Sequence, residues 1–561
     1  MRRLILALLC AIAAAWAVVP ATASASTAGP PPDTEPAMFL APNGNQVPRG
    51  FSIDPNRAIA LAKTAPKMVA IHRVDHPLRI VAYVWVGSHY EIYFYYHDKV
   101  IADQIIGAQG QIEATYKGPL ILGIYGRGHY GQIFDSPILL AAFTLMFLAP
   151  LLLLRGRRWI DRFDIAALLT FGISYLLFDN GHLEPAVWMF YPPLIYLLVR
   201  MLIRGYKPRA RVARLDVRLP TAVLVVGLLA LVVARIVVTL HPAGVIDVAT
   251  ASALGAYKLL HGESLYYFSL GHGDTYGPIA YLAYAPFELL FPGNWQYLPA
   301  ARAATITFDL LTIASLIVLG WRLRSGREGW RLGLLLAWLW AACPCTLLGM
   351  EKSTNDGLVA LMVVLIMLVL ESPIKRGVLV GLGTASKFFP AVLLPLVAVG
   401  RGDGDQRTIR KVLAAFVITT GVSIAVFLPP GGVKEFWDHT VGYQLTRSDI
   451  FSIWALHPAL APIKVALEAA AVFLAVAVAF RPRGLRTPAQ VAALAAAVII
   501  AVQLPALHWF YLYVVWFLPL VLVAVLAPGA PANAETEVLD RSVALEPADP
   551  GDASPALAGA A

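Results

Sequence analysis

Long apolar stretches separated by short polar ones dominate the chain from residue 137 to residue 527. A helix of roughly 20 apolar residues covers a bilayer core of about 30 Å. We predict membrane segments at 137–154, 163–179, 185–203, 218–240, 276–292, 302–321, 331–349, 356–370, 376–400, 411–429, 463–480, 488–506 and 510–527. This pattern predicts an all-α polytopic membrane protein with about 12–13 membrane segments.

The first 130 residues follow a different pattern. Two arginines, a short apolar core and the small residues "ATASA" predict a signal peptide over 1–25, with an uncleaved anchor as the alternative. A Pro-rich linker over 26–53 follows. The next region, 54–130, combines an Asp-Pro helix start with β-branched and aromatic runs such as "RIVAYVWVG" and "YEIYFYYHD". We predict a small α+β extracytoplasmic domain here.

The order of one helix followed by a meander of strands resembles the small PepSY-like domains. "KVIADQII" and "GQIEATYKG" supply a second predicted strand pair after the first hairpin. His72, His76 and His97 are scattered and form no catalytic pattern. A structural or partner-binding role is therefore the expectation for this domain.

Composition supports a membrane protein and excludes one other class. The 561 residues are 58% hydrophobic and 14% charged, and the net charge is +9. Because the Lys and Arg residues cluster in short loops between apolar runs, we interpret the charge by the positive-inside rule and not as nucleic-acid binding. The three cysteines define no disulfide framework, and Cys343 and Cys345 are expected to be packed. The acidic, Pro- and Ala-rich tail over 528–561 is expected to be disordered.

The basic loops orient the segments. "RGRR" at 155–158 and the basic stretch 204–218 are expected inside, which makes 137–217 three accessory helices and places 241–275 in an outer loop. The basic stretches 321–331 and 371–377 are also expected inside, so we expect that one piece of 276–321 does not cross fully.

The segment 376–400 is also flanked by basic loops, and it contains "SKFFP" near its middle. We therefore predict a hairpin of two short helices with Lys387 at its apex, since irregular backbone at membrane depth requires surrounding protein or a water-filled cavity. On this interpretation "EKSTND" at 351–356 is also outside. The predicted outer polar groups are Asp247, Asp274, Asn355, Asp356, Lys387 and His508.

Each of these residues also has an ordinary explanation. Asp247 and Asn355 are placed to cap helices. Asp274 and Tyr276 are compatible with plain loop positions, and Lys387 with snorkelling to a lipid headgroup. The aromatic side chains that follow His508 are also typical of a membrane-interface belt; these are Trp509, Tyr511 and Trp516.

Several stretches in the region 218–527 match a known family in order. They are "VIDVATASALGAYKLLHGESLYYF", "DTYGPIAYLAYAPFELLFP", "NDGLVALMVVL", "GLGTASKFFPAVLLPL", "FWDHTVGYQLTRSDIFSIW" and "HWFYLYVVWFLPL". This region resembles the GT-C membrane glycosyltransferases, and most closely glycosyltransferase family 87, the polyprenyl-phosphate-mannose-dependent mannosyltransferases. One departure is Glu-Lys-Ser-Thr-Asn at 351–355, where the family often has Gly-Gln-x-Asn. The departure leaves the donor or acceptor preference open.

The resemblance implies a membrane enzyme that moves a sugar, mannose in the family, from a polyprenyl-phosphate donor to a hydroxyl of a cell-envelope lipid or glycan. It implies that Asp247 is the general base, because a sugar hydroxyl is a poor nucleophile until a carboxylate takes its proton. It also implies cations against the leaving phosphate, for which Lys387, Arg447 and His508 are candidates. The further expected substrate-binding residues are Asp274, Tyr276, Asn355, Asp356, Gln444 and Tyr511.

No metal, cofactor or nucleic acid is expected to take part, since no ligand cluster or nucleotide-binding loop is visible in the sequence. The expected location is the plasma membrane, with the active site and the N-terminal domain on the extracytoplasmic side. Two other classes stay open: a transporter or flippase of lipid-linked sugars, and a non-catalytic envelope assembly or sensor protein. Replacement of Asp247 distinguishes an enzyme from a non-catalytic protein, because only an enzyme loses turnover without this residue.

Overall fold

The structure is a computed structural model that describes most of the membrane part and much of the outer domain. Arg447, the three scattered histidines, the predicted signal peptide and the tail 528–561 lie outside the described residues. The described residues are 38–40, 45–48, 50–65, 78–85, 89–96, 99–117, 136–155, 158–179, 183–207, 216–217, 219–240, 245–266, 274–292, 298–324, 326–402, 405–446 and 452–527.

The N-terminal domain is a helix beside an antiparallel meander, as the sequence pattern predicted. The helix is α1 (Pro55–Thr64), and it begins where the Asp54 carboxylate accepts a hydrogen bond of 2.8 Å from the Arg57 backbone N–H. The strands pair in sequence order: β1 (Met38–Leu40), β2 (Arg79–Trp85), β3 (His89–Tyr96), β4 (Lys99–Gly107) and β5 (Ile112–Lys117). Strand β1 lies in the Pro-rich linker and was not predicted, because three residues are too few for a readable alternation.

The two faces of this sheet differ in polarity. Alternate residues of β3, Tyr90 and Phe94 among them, pack with Ala58 and Ala62 of α1 in an apolar core. The residues between them face the other way, and they include the buried Glu91. On the neighbouring strand, burial and the Glu91 carboxylate raise the pKa of Asp103 well above its usual range.

The described residues after Lys117 are mainly helical, apart from a short antiparallel pair of strands, β6 (Leu154–Arg155) and β7 (Asp216–Val217). Each of the thirteen predicted segments coincides with a helix or with helices that meet at a break. The first helices are α2 (Pro137–Leu152), α3 (Trp159–Ala166), α4 (Thr170–Asp179), α5 (Leu183–Tyr206), α6 (Thr221–Leu240), α7 (Asp247–Leu260), α8 (Pro278–Leu290) and α9 (Pro299–Leu323). They are followed by α10 (Gly326–Ala342), α11 (Pro344–Glu351), α12 (Asp356–Leu368), α13 (Pro373–Lys387), α14 (Leu394–Val399) and α15 (Gln406–Ala425). The last are α16 (Gly432–Trp437), α17 (Tyr443–Thr446), α18 (Ile453–Leu456), α19 (Ala461–Phe480), α20 (Pro488–Gln503) and α21 (Val514–Leu526).

These helices confirm the predicted fold class. Among the described residues, five helices are long and apolar enough to cross a membrane, or six if the bent pair α10 and α11 is one span. Five shorter apolar helices accompany them. Helix α8 has only 13 residues, about 20 Å, so it is shorter than a bilayer core. The failure of one piece of 276–321 to cross fully stays a prediction.

Charged side chains between the accessory helices are paired. Asp164 of α3 accepts hydrogen bonds from Arg200 and Arg204 of α5, the former at 2.6 Å, and Asp161 also contacts Arg204. These ion pairs attach one side of α3 to α5, while Trp159 and Phe163 are exposed on its other side. Helix α3 is therefore a short amphipathic helix.

The bend between α10 and α11 measures 62° and lies at Pro344. The Arg235 guanidinium holds it, because it pairs with Asp309 of α9 at 2.5 Å and donates to the Ala341 carbonyl and the Thr346 hydroxyl. Cys343 and Cys345 are buried at the bend as packed side chains. The bend directs α11 so that the loop after it enters the protein interior.

The segment 376–400 folds as two arms that lie side by side. Helix α13 ends at Lys387, and after Phe388 the chain returns through the 3-10 turn Phe389–Leu393 and α14. A side chain at Gly400 would collide with the guanidinium of Arg376, so the two ends of the segment are neighbours. Arg401 also pairs with Glu371 at 2.9 Å across these ends. The geometry agrees with the predicted hairpin.

Cysteine labelling tests whether the hairpin enters and leaves from one side of the membrane. Ile374→Cys and Gln406→Cys, both at exposed positions flanking the hairpin, should react with an impermeant maleimide only from the cytoplasmic side. Trp437→Cys, which follows the next helix, should react only from the opposite side. The background should lack Cys343 and Cys345. Labelling of positions 374 and 406 from opposite faces would contradict the hairpin.

Candidate active site

The apex of the hairpin carries a lysine that is held by three other parts of the chain. The Lys387 ammonium donates to Asp356 Oδ1 at 2.6 Å and to Asn355 Oδ1 at 2.8 Å. The Trp516 indole N–H of α21 donates to the same Asp356 oxygen at 2.8 Å. The side chain of Lys387 is 12% exposed, and that of Asp356 is 1% exposed. This cluster lies inside the protein, so Lys387 does not snorkel to a headgroup.

Backbone packing positions the lysine. Phe388 adopts φ 54°, a left-handed conformation that ends α13 directly after Lys387 and turns the chain back. The loop before α8 locks this turn, because the Gly277 N–H donates to the Ser386 carbonyl at 2.9 Å. A side chain at Gly277 would collide with the Ala385 carbonyl. The glycine therefore allows the loop before α8 to contact the hairpin apex.

Asn355 ends the loop after α11 and Asp356 begins α12, and the whole stretch 351–356 is buried. This burial leaves untested the prediction that the stretch lies on the outer side of the membrane, and it places the stretch beside the hairpin apex. Asn355 occupies the position before α12, but its side chain makes no capping hydrogen bond. It contacts Ser252 at 3.3 Å and Lys387. The capping explanation therefore does not account for Asn355.

Aromatic rings surround the ammonium. The Lys387 Nζ atom lies 5.2 Å from the ring centre of Tyr276, 5.4 Å from Trp516 and 5.9 Å from Tyr513. Such distances give cation–π attraction. The ring of His508 lies 6.0 Å from that of Tyr513, so His508 is at the edge of this group. The structure thus brings Tyr276, Asn355, Asp356, Lys387 and, at the margin, His508 together.

Helix α7 connects the cluster to Asp247. Its Ser252 hydroxyl contacts Asn355, and Asp247 is the first residue of the same helix, about 7.5 Å away along the axis. The N-cap position belongs to Ile246, and one Asp247 carboxylate oxygen accepts from the Val248 N–H at 2.8 Å. Asp247 is half-buried, and it lies at the N-terminal end of α7.

Asp274 serves a neighbouring ion pair. Lys258, near the end of α7, contacts Asp274 at 2.9 Å, and both side chains are almost fully buried. Asp274 has φ 56° and also accepts from the Tyr266 N–H at 3.2 Å. The Tyr266 hydroxyl in turn donates to the Tyr276 carbonyl at 2.7 Å. Through these contacts the Lys258–Asp274 pair holds Tyr276 in place beside Lys387. Asp274 therefore affects the Lys387 cluster through the loop that carries Tyr276.

Three further predicted residues are not brought to this cluster by the described structure. Gln444 is exposed on α17, and Arg447 lies outside the described residues. Tyr511 is buried, with its hydroxyl 2.8 Å from Ser174 of α4 and its ring against Tyr175. Tyr511 thus packs between α4 and the turn before α21.

Sequence reasoning missed Ser252, Lys258 and the role of Trp516. Ser252 and Lys258 lie in the loop-and-helix stretch that was recognised, but a serine or lysine on an amphipathic helix has no separate signal. Trp516 was interpreted as part of an interface belt, yet its indole bonds Asp356.

The folded chain is thus a multi-pass helical membrane protein with a buried lysine–carboxylate cluster between its helices. Residues 275–509 match the sequence model of Glycosyltransferase family 87, which confirms the resemblance to GT-C, family 87 enzymes that the motifs indicated. The PepSY-like resemblance of the outer domain stays a prediction. The matched region contains Tyr276, Asn355, Asp356, Lys387 and His508.

The chain is also 30% identical over 214 residues to the polyprenol-phosphate-mannose-dependent alpha-(1-2)-phosphatidylinositol mannoside mannosyltransferase of Mycobacterium tuberculosis. The alignment covers 34% of this chain and 46% of the relative, so the chain spans about half the length of the relative that it matches. No solved structure matches the chain.

Removal of one partner of the Lys258–Asp274 pair should destabilise the protein. Lys258→Met leaves a buried carboxylate without its cation, a change that costs about 3–5 kcal/mol in other proteins. The temperature at which half of the detergent-solubilised protein stays monodisperse should therefore fall. Lys434→Met is the matched control, because Lys434 pairs with Asp438 on the surface. Equal midpoints for the two variants would contradict a structural role for the buried pair.

Proposed function

We propose that the protein is an integral-membrane glycosyltransferase that moves mannose from a polyprenyl-phosphate donor to a hydroxyl of a cell-envelope lipid or glycan. The observation that carries this proposal is the Lys387 cluster inside the family 87 region. The relative's name specifies a polyprenol-phosphate-mannose donor and a phosphatidylinositol mannoside acceptor. We place the reaction on the extracytoplasmic side of the plasma membrane, where the positive-inside rule puts the loop before α7.

The donor phosphate is assigned to Lys387. A lysine supplies a compact charge with three donors, and two of them are used by Asn355 and Asp356 among the described residues. The apex position suits a lipid donor, because the polyprenyl chain stays in the bilayer while its head group reaches the end of a short hairpin. Tyr276, Tyr513 and Trp516 add apolar ring surface beside the ammonium.

Asp247 is assigned as the general base. Its carboxylate would take the proton of the acceptor hydroxyl while the acceptor oxygen bonds to the anomeric carbon of the donor sugar. The bond between that carbon and the phosphate oxygen breaks, and its electron pair leaves with the polyprenyl phosphate. This single displacement inverts the anomeric centre and leaves the extra negative charge on the phosphate, beside Lys387.

A transfer assay tests the proposed function. The purified full-length protein in sealed proteoliposomes is incubated with a panel of polyprenyl-phosphate sugars and with an envelope lipid extract as acceptor. We expect transfer from the mannose donor, with inversion at the anomeric carbon. Transport of lipid-linked sugar without transfer from any member of the panel would favour the transporter alternative.

Asp247→Asn should abolish most turnover while leaving the fold intact. The amide keeps the shape of the carboxylate and can still accept from the Val248 N–H, but it cannot take a proton. We expect a loss of about 10²-fold or more in kcat with little change in thermal stability. Ser252→Ala, which removes a nearby polar group of the same helix without removing a base, is the control and should lose less. Transfer by Asp247→Asn at the wild-type rate would exclude Asp247 as the base.

Lys387→Met should impair the use of the donor much more than the use of the acceptor. Methionine retains the length and apolar stem of lysine but cannot contact the phosphate. We expect the apparent KM for the donor to rise and kcat to fall, while the apparent KM for the acceptor changes little. Lys387→Arg should retain part of the activity because it preserves the charge. An unchanged dependence on donor concentration in Lys387→Met would rule out the phosphate contact.

A further inference from the structure

The Lys387 ammonium pairs with the Asp356 carboxylate, and in the proposed function it also binds the lipid phosphate. The inference rests on that proposed function and concerns the competition of these two anions for one ammonium. Lys387 is the only ion-pair partner of Asp356 within the described part of the chain. The Asp356 oxygen that contacts Lys387 also accepts from Trp516, while its other oxygen is buried without a hydrogen-bond partner among the described residues. Within the described residues, Lys387 is therefore the cation that balances the Asp356 carboxylate.

Asp356 also lies where a carboxylate interacts favourably with the backbone of its own helix. It is the first residue of α12, a helix of 13 residues, and the positive end of the helix dipole favours a carboxylate there. Two oxygens that share one ammonium at hydrogen-bond distance lie about 5 Å apart. A phosphate that binds Lys387 is thus repelled by the Asp356 carboxylate. The repulsion weakens if the phosphate draws the Lys387 ammonium away from Asp356.

The charge of the lipid phosphate changes during the proposed reaction. The donor is a phosphodiester with one negative charge. The product, a phosphate monoester, carries about −1.5 to −2 near pH 7. One proton from the acceptor hydroxyl goes to Asp247, so the additional charge on the phosphate is balanced. Without a competitor, a lysine that stabilises this charge would also hold the product firmly, and release would become slow.

We propose that Asp356 is a built-in competitor for Lys387 that weakens the binding of the polyprenyl-phosphate product and so promotes its release. Lys387 is shared between a resident carboxylate and the leaving phosphate. It moves toward the phosphate as charge develops, and it returns to Asp356 when the product leaves. Asp356 is accordingly a positioning residue that acts on the lipid phosphate through Lys387.

Binding of farnesyl phosphate to the full-length protein in nanodiscs tests this proposal, with farnesol as the uncharged probe. Asp356→Asn should bind farnesyl phosphate about tenfold or more tightly than the wild type, because the neutral amide competes less strongly than a carboxylate for the Lys387 ammonium. A gain in affinity is a result that misfolding does not produce. Asp356→Ser is a second neutral variant if the asparagine variant is not monodisperse. Asp161→Asn, which removes a buried carboxylate from the accessory helices, is the matched control and should bind as the wild type does.

A double-mutant cycle identifies the route of the effect. In a Lys387→Met background, Asp356→Asn should no longer increase the affinity, since the shared ammonium is absent. In transfer assays, Asp356→Asn should also show stronger inhibition by added farnesyl phosphate. Equal or weaker binding of farnesyl phosphate by both Asp356→Asn and Asp356→Ser would overturn the inference and leave the proposed function standing. Equal binding of farnesyl phosphate and farnesol by the wild type would overturn the proposed function, and this inference with it.

Discussion

An ammonium group inside an apolar hairpin is the constraint on which the central part of this structure depends. A charged side chain at that depth is costly unless an anion and polar groups meet it. Lys387 obtains these partners from separate parts of the chain: Asn355 and Asp356 from the start of α12, Trp516 from α21, and Tyr276 from the loop before α8. The bend at Pro344 brings Asn355 and Asp356 to the hairpin apex, and the contact of Gly277 with the hairpin brings Tyr276 there.

The same arrangement links the fold to the proposed chemistry. Transfer of a sugar from a lipid phosphate requires a base on the acceptor side and a cation on the leaving-group side. Helix α7 carries Asp247 at its start and contacts the Lys387 cluster through Ser252, so one rigid helix relates the two sides. The Lys258–Asp274 pair holds the following loop, which carries Tyr276. Asp356 adds a third requirement, namely that the cation releases the phosphate once transfer is complete.

Much of the fold could be predicted from the sequence, because apolar runs and basic loops report directly on membrane segments and their ends. The hairpin followed from the basic flanks of 376–400 and from "SKFFP", and Lys387 followed from its depth in an apolar run. Side-chain partners were harder to predict. Asn355 at a helix start is compatible with a cap, and only the contacts with Ser252 and Lys387 separate the two roles. Tyr511 has the same aromatic surroundings in the sequence as Trp516, yet one bonds Ser174 and the other bonds Asp356.

The central claim is that the lipid phosphate binds at the hairpin apex, and an experimental structure of the complex tests it most directly. Electron cryo-microscopy of the full-length protein in nanodiscs with a polyprenyl phosphate should show phosphate density at the apex. At least one phosphate oxygen should lie within about 3.2 Å of the Lys387 ammonium nitrogen. The isoprenyl chain should extend from the apex into the bilayer. Phosphate density elsewhere, with Lys387 still bonded to Asp356 and Asn355 alone, would contradict the account.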